Sequence, residues 1–280
     1  MRKLYFLLLL NFCLLTIPGI APVFSGNPPL AKENPEREWR HVYFKTDQGF
    51  SSGRLSDGKM SSLHYTGYGG VLNFGRRVHT QNHISELSFA RVQFNQLEPV
   101  HKNTQVYKPT FGARYMYLKK LDSIGDFQVH AGAQANIFAD FRIAPRLGNS
   151  YLFADVFAEF RPQAKFATEF FFLRNWNPEF SIATSLLGYG VRMPEYGTTF
   201  RLSETGGSTL QGAETFILTP SNFGHFTTGI FFKESLGDEL NPNWFRVGYI
   251  WDYYSLKGNH GHNLNNAVHQ LVLEFFFRMN

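Results

Sequence analysis

The stretch from Phe127 to Ile143 most limits what this chain can become. Its odd positions read Phe127, Val129, Ala131, Ala133, Ala135, Ile137, Ala139, Phe141 and Ile143, and none is polar. Its even positions read Gln128, His130, Gly132, Gln134, Asn136, Phe138, Asp140 and Arg142. A period of two is the period of a β-strand with one apolar and one polar face. Seventeen residues at about 3.3 Å each reach roughly 55 Å, against about five or six residues in an ordinary strand. An apolar face kept over that distance needs a thick apolar medium beside it, and a tilted strand that crosses a bilayer and projects beyond it fits.

The N-terminus agrees with an exported protein. Arg2 and Lys3 precede an almost unbroken apolar run from Leu4 to Ile17, and Val23-Phe24-Ser25 offers a cleavage site after Ser25. Residues 1–25 therefore read as a secretory signal peptide, the run being shorter than the roughly 18 residues of a spanning helix. Cys13, the only cysteine, lies within it and lacks the small preceding residues of a lipoprotein signal. The mature chain then has neither disulfide nor thiol chemistry. Residues 26–37, with three prolines, read as an exposed leader.

Beyond residue 37 no run of 18 apolar residues occurs, so any spanning falls to strands. Aromatic residues make up 17% of the chain, with 30 Phe and 13 Tyr, while mean hydropathy is only −0.24. Alternating faces with aromatic girdles produce that combination. The net charge of +5 includes two signal-peptide charges and shows no basic cluster, so nucleic-acid binding has no support.

About twelve strand-like segments follow, near 38–46, 61–78, 83–96, 105–120, 126–143, 150–161, 166–175, 178–192, 211–219, 225–235, 243–256 and 266–279. Gly, Pro, Asn and Asp mark the joints, as at Asp57-Gly58 and Gly237-Asp238. The expectation is an all-β fold, an antiparallel up-and-down transmembrane β-barrel over 38–280, with twelve strands preferred and ten second. Twelve strands place Asp47–Met60 in an outer loop. They also strand the long polar stretch Met193–Leu210 on the periplasmic side, where turns should be short; ten strands would relieve this.

The last segment sets Leu271, Leu273, Phe275, Phe277 and Met279 on one face against Gln270, Val272, Glu274, Phe276 and Arg278 on the other. In 243–256, Phe245, Val247, Tyr249, Trp251 and Tyr253 share a face opposite Arg246 and Asp252. The signal peptide, the alternating strands and this amphipathic aromatic end together resemble bacterial outer-membrane β-barrel proteins. That resemblance implies an integral protein of the cell outer membrane, inserted by the barrel-assembly machinery, in contact with outer-membrane lipid, and monomeric. The usual terminal aromatic is displaced, since the chain ends Phe277-Arg278-Met279-Asn280.

The interior of such a barrel must be filled by side chains or water. Gln128, His130, Gln134, Asn136, Asp140 and Arg142 would line it from one strand, Asp155, Glu159 and Arg161 from the next, and Arg91, Gln93 and Arg114 from neighbours. One reading is a plugged lumen in which amides and ion pairs satisfy each other. A second is a narrow porin-like pore for small solutes, and a third a substrate site. These favour a non-enzymatic barrel, a small-solute channel or a structural surface protein.

The enzymatic alternative rests on Thr46 to Leu55. Thr46-Asp47-Gln48-Gly49-Phe50-Ser51-Ser52-Gly53 resembles a Thr-Asp-x-x-aromatic-Thr-x-Gly stretch of the outer-membrane lipid A deacylases, over about ten residues. The resemblance implies an acyl hydrolase of envelope lipids and makes Asp47 and Ser51 its candidates, although Glu38 to Lys45 offer no Asn-Asp pair. His260 and His262, with His269 beyond, have no neighbouring carboxylate or cysteine, and the reading is of no metal and no cofactor.

Overall fold

A computed structural model of the chain describes residues 40–99, 104–121, 123–125, 127–145, 152–168, 176–192, 213–236, 243–258 and 263–279. The signal peptide, the leader, Met193–Leu210, His260 and His262 lie outside them.

Twelve antiparallel strands form one sheet that closes on itself. They are β1 (Arg40–Asp57), β2 (His64–Thr80), β3 (His83–Pro99), β4 (Val106–Lys120), β5 (Phe127–Ile143), β6 (Leu152–Thr168), β7 (Asn177–Thr184), β8 (Leu187–Arg192), β9 (Glu214–Leu218), β10 (Phe223–Ser235), β11 (Trp244–Leu256) and β12 (Leu264–Met279). Each strand from β1 to β6 pairs with the next, β7 pairs with β10, β10 with β11, β11 with β12, and β12 returns to β1 over Val42↔Met279 to Asp57↔Leu264. The ring therefore has ten wall positions.

The other two strands continue walls already begun. β7 pairs with the Gln163–Ala167 half of β6 and β8 with its Asp155–Phe160 half. Ala183 faces Gln163 while Leu187 faces Phe160, so one extra residue sits at Ser185–Leu186. β9 pairs with β8 above β10, after which a turn at Thr219–Asn222 leads into β10. The connection from Arg192 to Glu214 thus joins strand ends at the rim that also holds Asp57, with which Arg192 pairs.

Three boundaries differ from the sequence expectation. β1 runs through Asp57, so Asp47–Asp57 is wall and not loop. β6 passes through Pro162 without a break, facing Ala133, and absorbs the start of the expected 166–175 strand. That proline points outward and is exposed, where a ring obstructs no packing. The expected strand at 178–192 is β7 and β8 together.

Alternation decides the two faces. Outward stand Phe50, Phe94, Tyr115, Ile137, Phe160, Phe232, Tyr249 and Leu271, all exposed. Inward stand Lys45, Asp140, Arg142, Asp155, Arg192 and Glu274, all buried. This inversion of the usual globular arrangement runs round the ring. β3 keeps it only through a bulge at Phe89–Ala90. Phe74 faces Ala90 but Gly75 faces Ser88, and on the other side Ser88 faces Arg114 but Arg91 faces Gly112. The spare residue brings Ser88 and Arg91, three apart, to the same inner face. Elsewhere the wall is drawn tight: a Cβ on Gly69 would lie 1.7 Å from the Phe94 carbonyl oxygen of β3.

Candidate functional site: the charged lumen

At the Asp57 rim, two carboxylates meet two guanidiniums. Arg142 of β5 contacts Asp57 at 2.9 Å and Asp155 at 2.5 Å. Arg192 donates to Asp57 and reaches Asp155 at 3.5 Å. All four side chains are at most 1% exposed. Beneath them Lys108 contacts Asp140 at 2.8 Å, and Thr110 and Tyr254 hydroxyls donate to the same carboxylate. Leu55, Tyr65, Leu97, Phe138, Phe157, Phe223 and Tyr254 pack together at this level, an apolar layer across the lumen.

Midway, His225 of β10 sits between two carboxylates, with Nδ1 2.6 Å from Glu159 and Nε2 2.9 Å from Asp252. Asn136 donates to Glu159 and Thr227 to Asp252. Arg161 donates to Thr227 Oγ1 and to the Ala183 carbonyl. The Ser185 hydroxyl accepts from the His225 backbone N–H and donates to the Phe223 carbonyl, so it is not set against the imidazole as a nucleophile.

Toward the Arg40 rim, Lys45 contacts Glu86 at 2.8 Å, Asp47 at 3.0 Å and Glu274 at 3.6 Å. Arg114 reaches Glu86 at 2.9 Å. Arg246 bonds Glu274 and Glu179, and Lys165 contacts Glu179 at 2.7 Å. Trp244 stacks on Phe276 with ring centroids 3.5 Å apart, and the Arg77 guanidinium lies 5.3 Å from each ring. The Arg246 guanidinium lies 4.0 Å over Phe231.

Two cavities stand out among the described residues. The larger, about 90 Å³ of space open to the centre of a water molecule, lies between the middle and lower layers. The smaller, about 30 Å³, lies beside His225, Asp252 and Tyr254. At roughly 10–15 Å³ per water on this measure, they have room for on the order of ten waters together.

The structure brings together the lumen residues expected from the sequence. Gln134, Asn136, Asp140, Arg142, Asp155, Glu159 and Arg161 are buried and face inward. His130 is buried on the same inner face and Gln128 half-buried. Arg91 and Arg114 line the larger cavity. Sequence reading missed Lys45, Glu86, Lys108, Lys165, Glu179, Arg192 and His225. Each is inward in the alternation of its own strand, and that phase was the available signal.

Asp47 and Ser51 require correction. Both were placed in a loop after the first strand, and both are inward residues of β1. Asp47 accepts from Asn73 at 2.6 Å and pairs with Lys45. Ser51, fully buried, donates to Asn95 Oδ1 at 2.5 Å rather than to a histidine. Among the described residues no group of three His, Cys, Asp or Glu is arranged to hold a metal.

Fold and interior together define the class, a closed antiparallel β-barrel with an aromatic, aliphatic exterior and an ion-paired core. No protein-family model and no curated protein matches the chain by sequence, so the lipid A deacylase resemblance gains nothing from them. Among solved structures, it is similar to the outer-membrane protease OmpT from Escherichia coli at 7% identity and a TM-score of 0.41, covering 86% of this chain and 96% of that one. The translocator domain of autotransporter NalP from Neisseria meningitidis gives 9% and 0.36, covering 85% and 88%. The Ralstonia pickettii toluene transporter TbuX gives 7% and 0.25, covering 86% and 90%. The barrel assignment rests on the ring of strand pairings rather than on these low-scoring likenesses.

Proposed function

We infer that the chain is an integral, monomeric barrel of the bacterial outer membrane, exported through the signal peptide in 1–25 and inserted by the barrel-assembly machinery. Its outward Phe, Tyr, Ile and Leu residues suit lipid contact, and only a closed sheet satisfies its backbone there. Within that setting it serves as a structural surface protein rather than a solute channel. The observation that carries this is the filling of the lumen: carboxylates and cations interlock from rim to rim, and the two cavities between them are of water size, with room for on the order of ten waters together. Buried ion pairs of this density hold a barrel rigid because each charge left alone in a dry interior is expensive.

The same filling weighs against hydrolysis in the lumen, since neither cavity has room for an acyl chain. The test is single-channel recording in planar bilayers with the refolded full-length protein. No discrete conductance steps are expected, and reproducible steps would overturn the structural reading in favour of the channel. Release of fatty acid from labelled lipid A or phospholipid would overturn the non-enzymatic part.

A further inference from the structure

The larger lumen cavity is lined by six cationic side chains, Arg77, Arg91, Arg114, Arg161, Lys165 and Arg246, and by four carboxylates, Asp47, Glu86, Glu179 and Glu274. The carboxylates are already shared. Glu86 takes Lys45 and Arg114, at 2.8 and 2.9 Å, and Glu179 takes Lys165 and Arg246, at 2.7 and 2.8 Å. Asp252 and Glu159, one layer above, are held by His225 at 2.9 and 2.6 Å.

Three guanidiniums are left without a close counter-charge, Arg77 coming no nearer than 3.8 Å to Glu86. Arg91 comes no nearer than 3.9 Å to Asp252, and Arg161 no nearer than 3.9 Å to Glu159. Arg161 is only 4% exposed at its side chain, and its Nε has no hydrogen-bond partner within the protein. The donors Arg77 Nε and Arg114 Nε on the same cavity wall are likewise unpartnered, as are the acceptors Asp47 Oδ1, Gln134 Oε1 and Gln163 Oε1. Arg91, Arg114 and Arg161 stand on β3, β4 and β6 near one height. Arg91 faces Gly112, two residues from Arg114; Arg114 faces Asn136, and Gln134 faces Arg161. They lie close enough to repel one another. Arg161 is buried, whereas the Arg91 and Arg114 side chains are 27% and 26% exposed and Arg114 is held by Glu86; guanidiniums in excess of their close carboxylates around a water-sized space favour an anion.

We propose that the lumen binds a small inorganic anion, of chloride to phosphate size, among Arg91, Arg114 and Arg161. The anion supplies the negative charge that the protein's own carboxylates do not, and the bulge in β3 is what turns Arg91 into this space. The site does not depend on whether the barrel conducts.

The test is thermal unfolding of the refolded full-length protein in detergent. Sodium chloride, or in a second series sodium phosphate, replaces sodium gluconate at constant ionic strength. With either anion the midpoint should rise and saturate, by about 5 °C or more at a hundredfold excess over its dissociation constant. Arg91→Gln should abolish the rise; it removes one guanidinium while Asp252 keeps His225 and Thr227. Lys119→Gln, on the exposed side of β4, should retain it. No saturable rise with either anion, or an equal rise in Arg91→Gln, would overturn the site. Where Arg91→Gln does not fold, wild-type crystals grown in bromide decide: an anomalous peak between the three guanidiniums supports the site, and its absence rejects it.

Discussion

Gly248 lacks a side chain because Phe231 fills the place where one would go. An added Cβ would lie 2.1 Å from Phe231 Cδ1 and 2.5 Å from Cε1. The ring cannot yield freely, since Arg246 lies over it and is itself tied to Glu274 and Glu179. Gly248→Ala should therefore destabilise the barrel by about 1–3 kcal/mol, the usual cost of overpacking, measured as a lower urea midpoint. The neighbouring outward position Val247 should tolerate Ala with a smaller loss, having no lumen partner to displace. At this scale the sequence was readable wherever charge and phase agreed. Arg246 and Asp252 were placed opposite the aromatic face of their strand, and both are inward. His225 was not found, because nothing in the residues near it reveals that Glu159 and Asp252 come from β6 and β11 to meet it.

For single strands, the test of orientation is a charge on the outer face. Ile137, near the middle of β5, is 51% exposed and points away from the lumen. In water, Ile137→Lys would change stability by less than about 0.5 kcal/mol. Facing the middle of a bilayer it should cost about 2–4 kcal/mol. A urea titration of refolding into lipid vesicles separates the two outcomes, and a neutral result would remove the membrane reading. β5 and β12 were legible because their alternation is unbroken over the whole strand. The second half of β1 was not. Between Asp47 and Leu55 its only large apolar residue is Phe50, outward, and Leu55 itself faces inward, so no apolar stripe forms. The small polar residues between them looked like a turn, yet they are where the lumen is crowded by Asn95. Strand β6 was cut at Arg161 because Pro162 normally ends a strand; its outward exposure shows why it does not here.

Taken as a whole, the wall has an aromatic, aliphatic outer face and a charged inner face, and its tryptophans sample both. Trp244 is buried in the lumen against Phe276, while Trp251 packs outside against Phe226 and Tyr253. In variants retaining one tryptophan, bromine-labelled acyl chains should quench Trp251 strongly and Trp244 weakly. Equal quenching would mean that the wall does not divide lipid from core.

The bulge at Phe89–Ala90 carries a last implication. Strand pairing works like a reading frame with two letters, in and out, and a one-residue deletion ordinarily garbles everything downstream. In β3 the frame already contains a surplus letter, compensated by the bulge. On both flanks, the register before and after it differs by a single position. Deleting Ala90 would bring the two halves into one uniform count, with Ser88 and Arg91 still inward and Phe89 and Val92 still outward. That deletion should yield a folded barrel in a vesicle refolding assay, whereas deleting Ala135 from the unbroken β5, which would trade outward for inward residues along half a strand, should yield none.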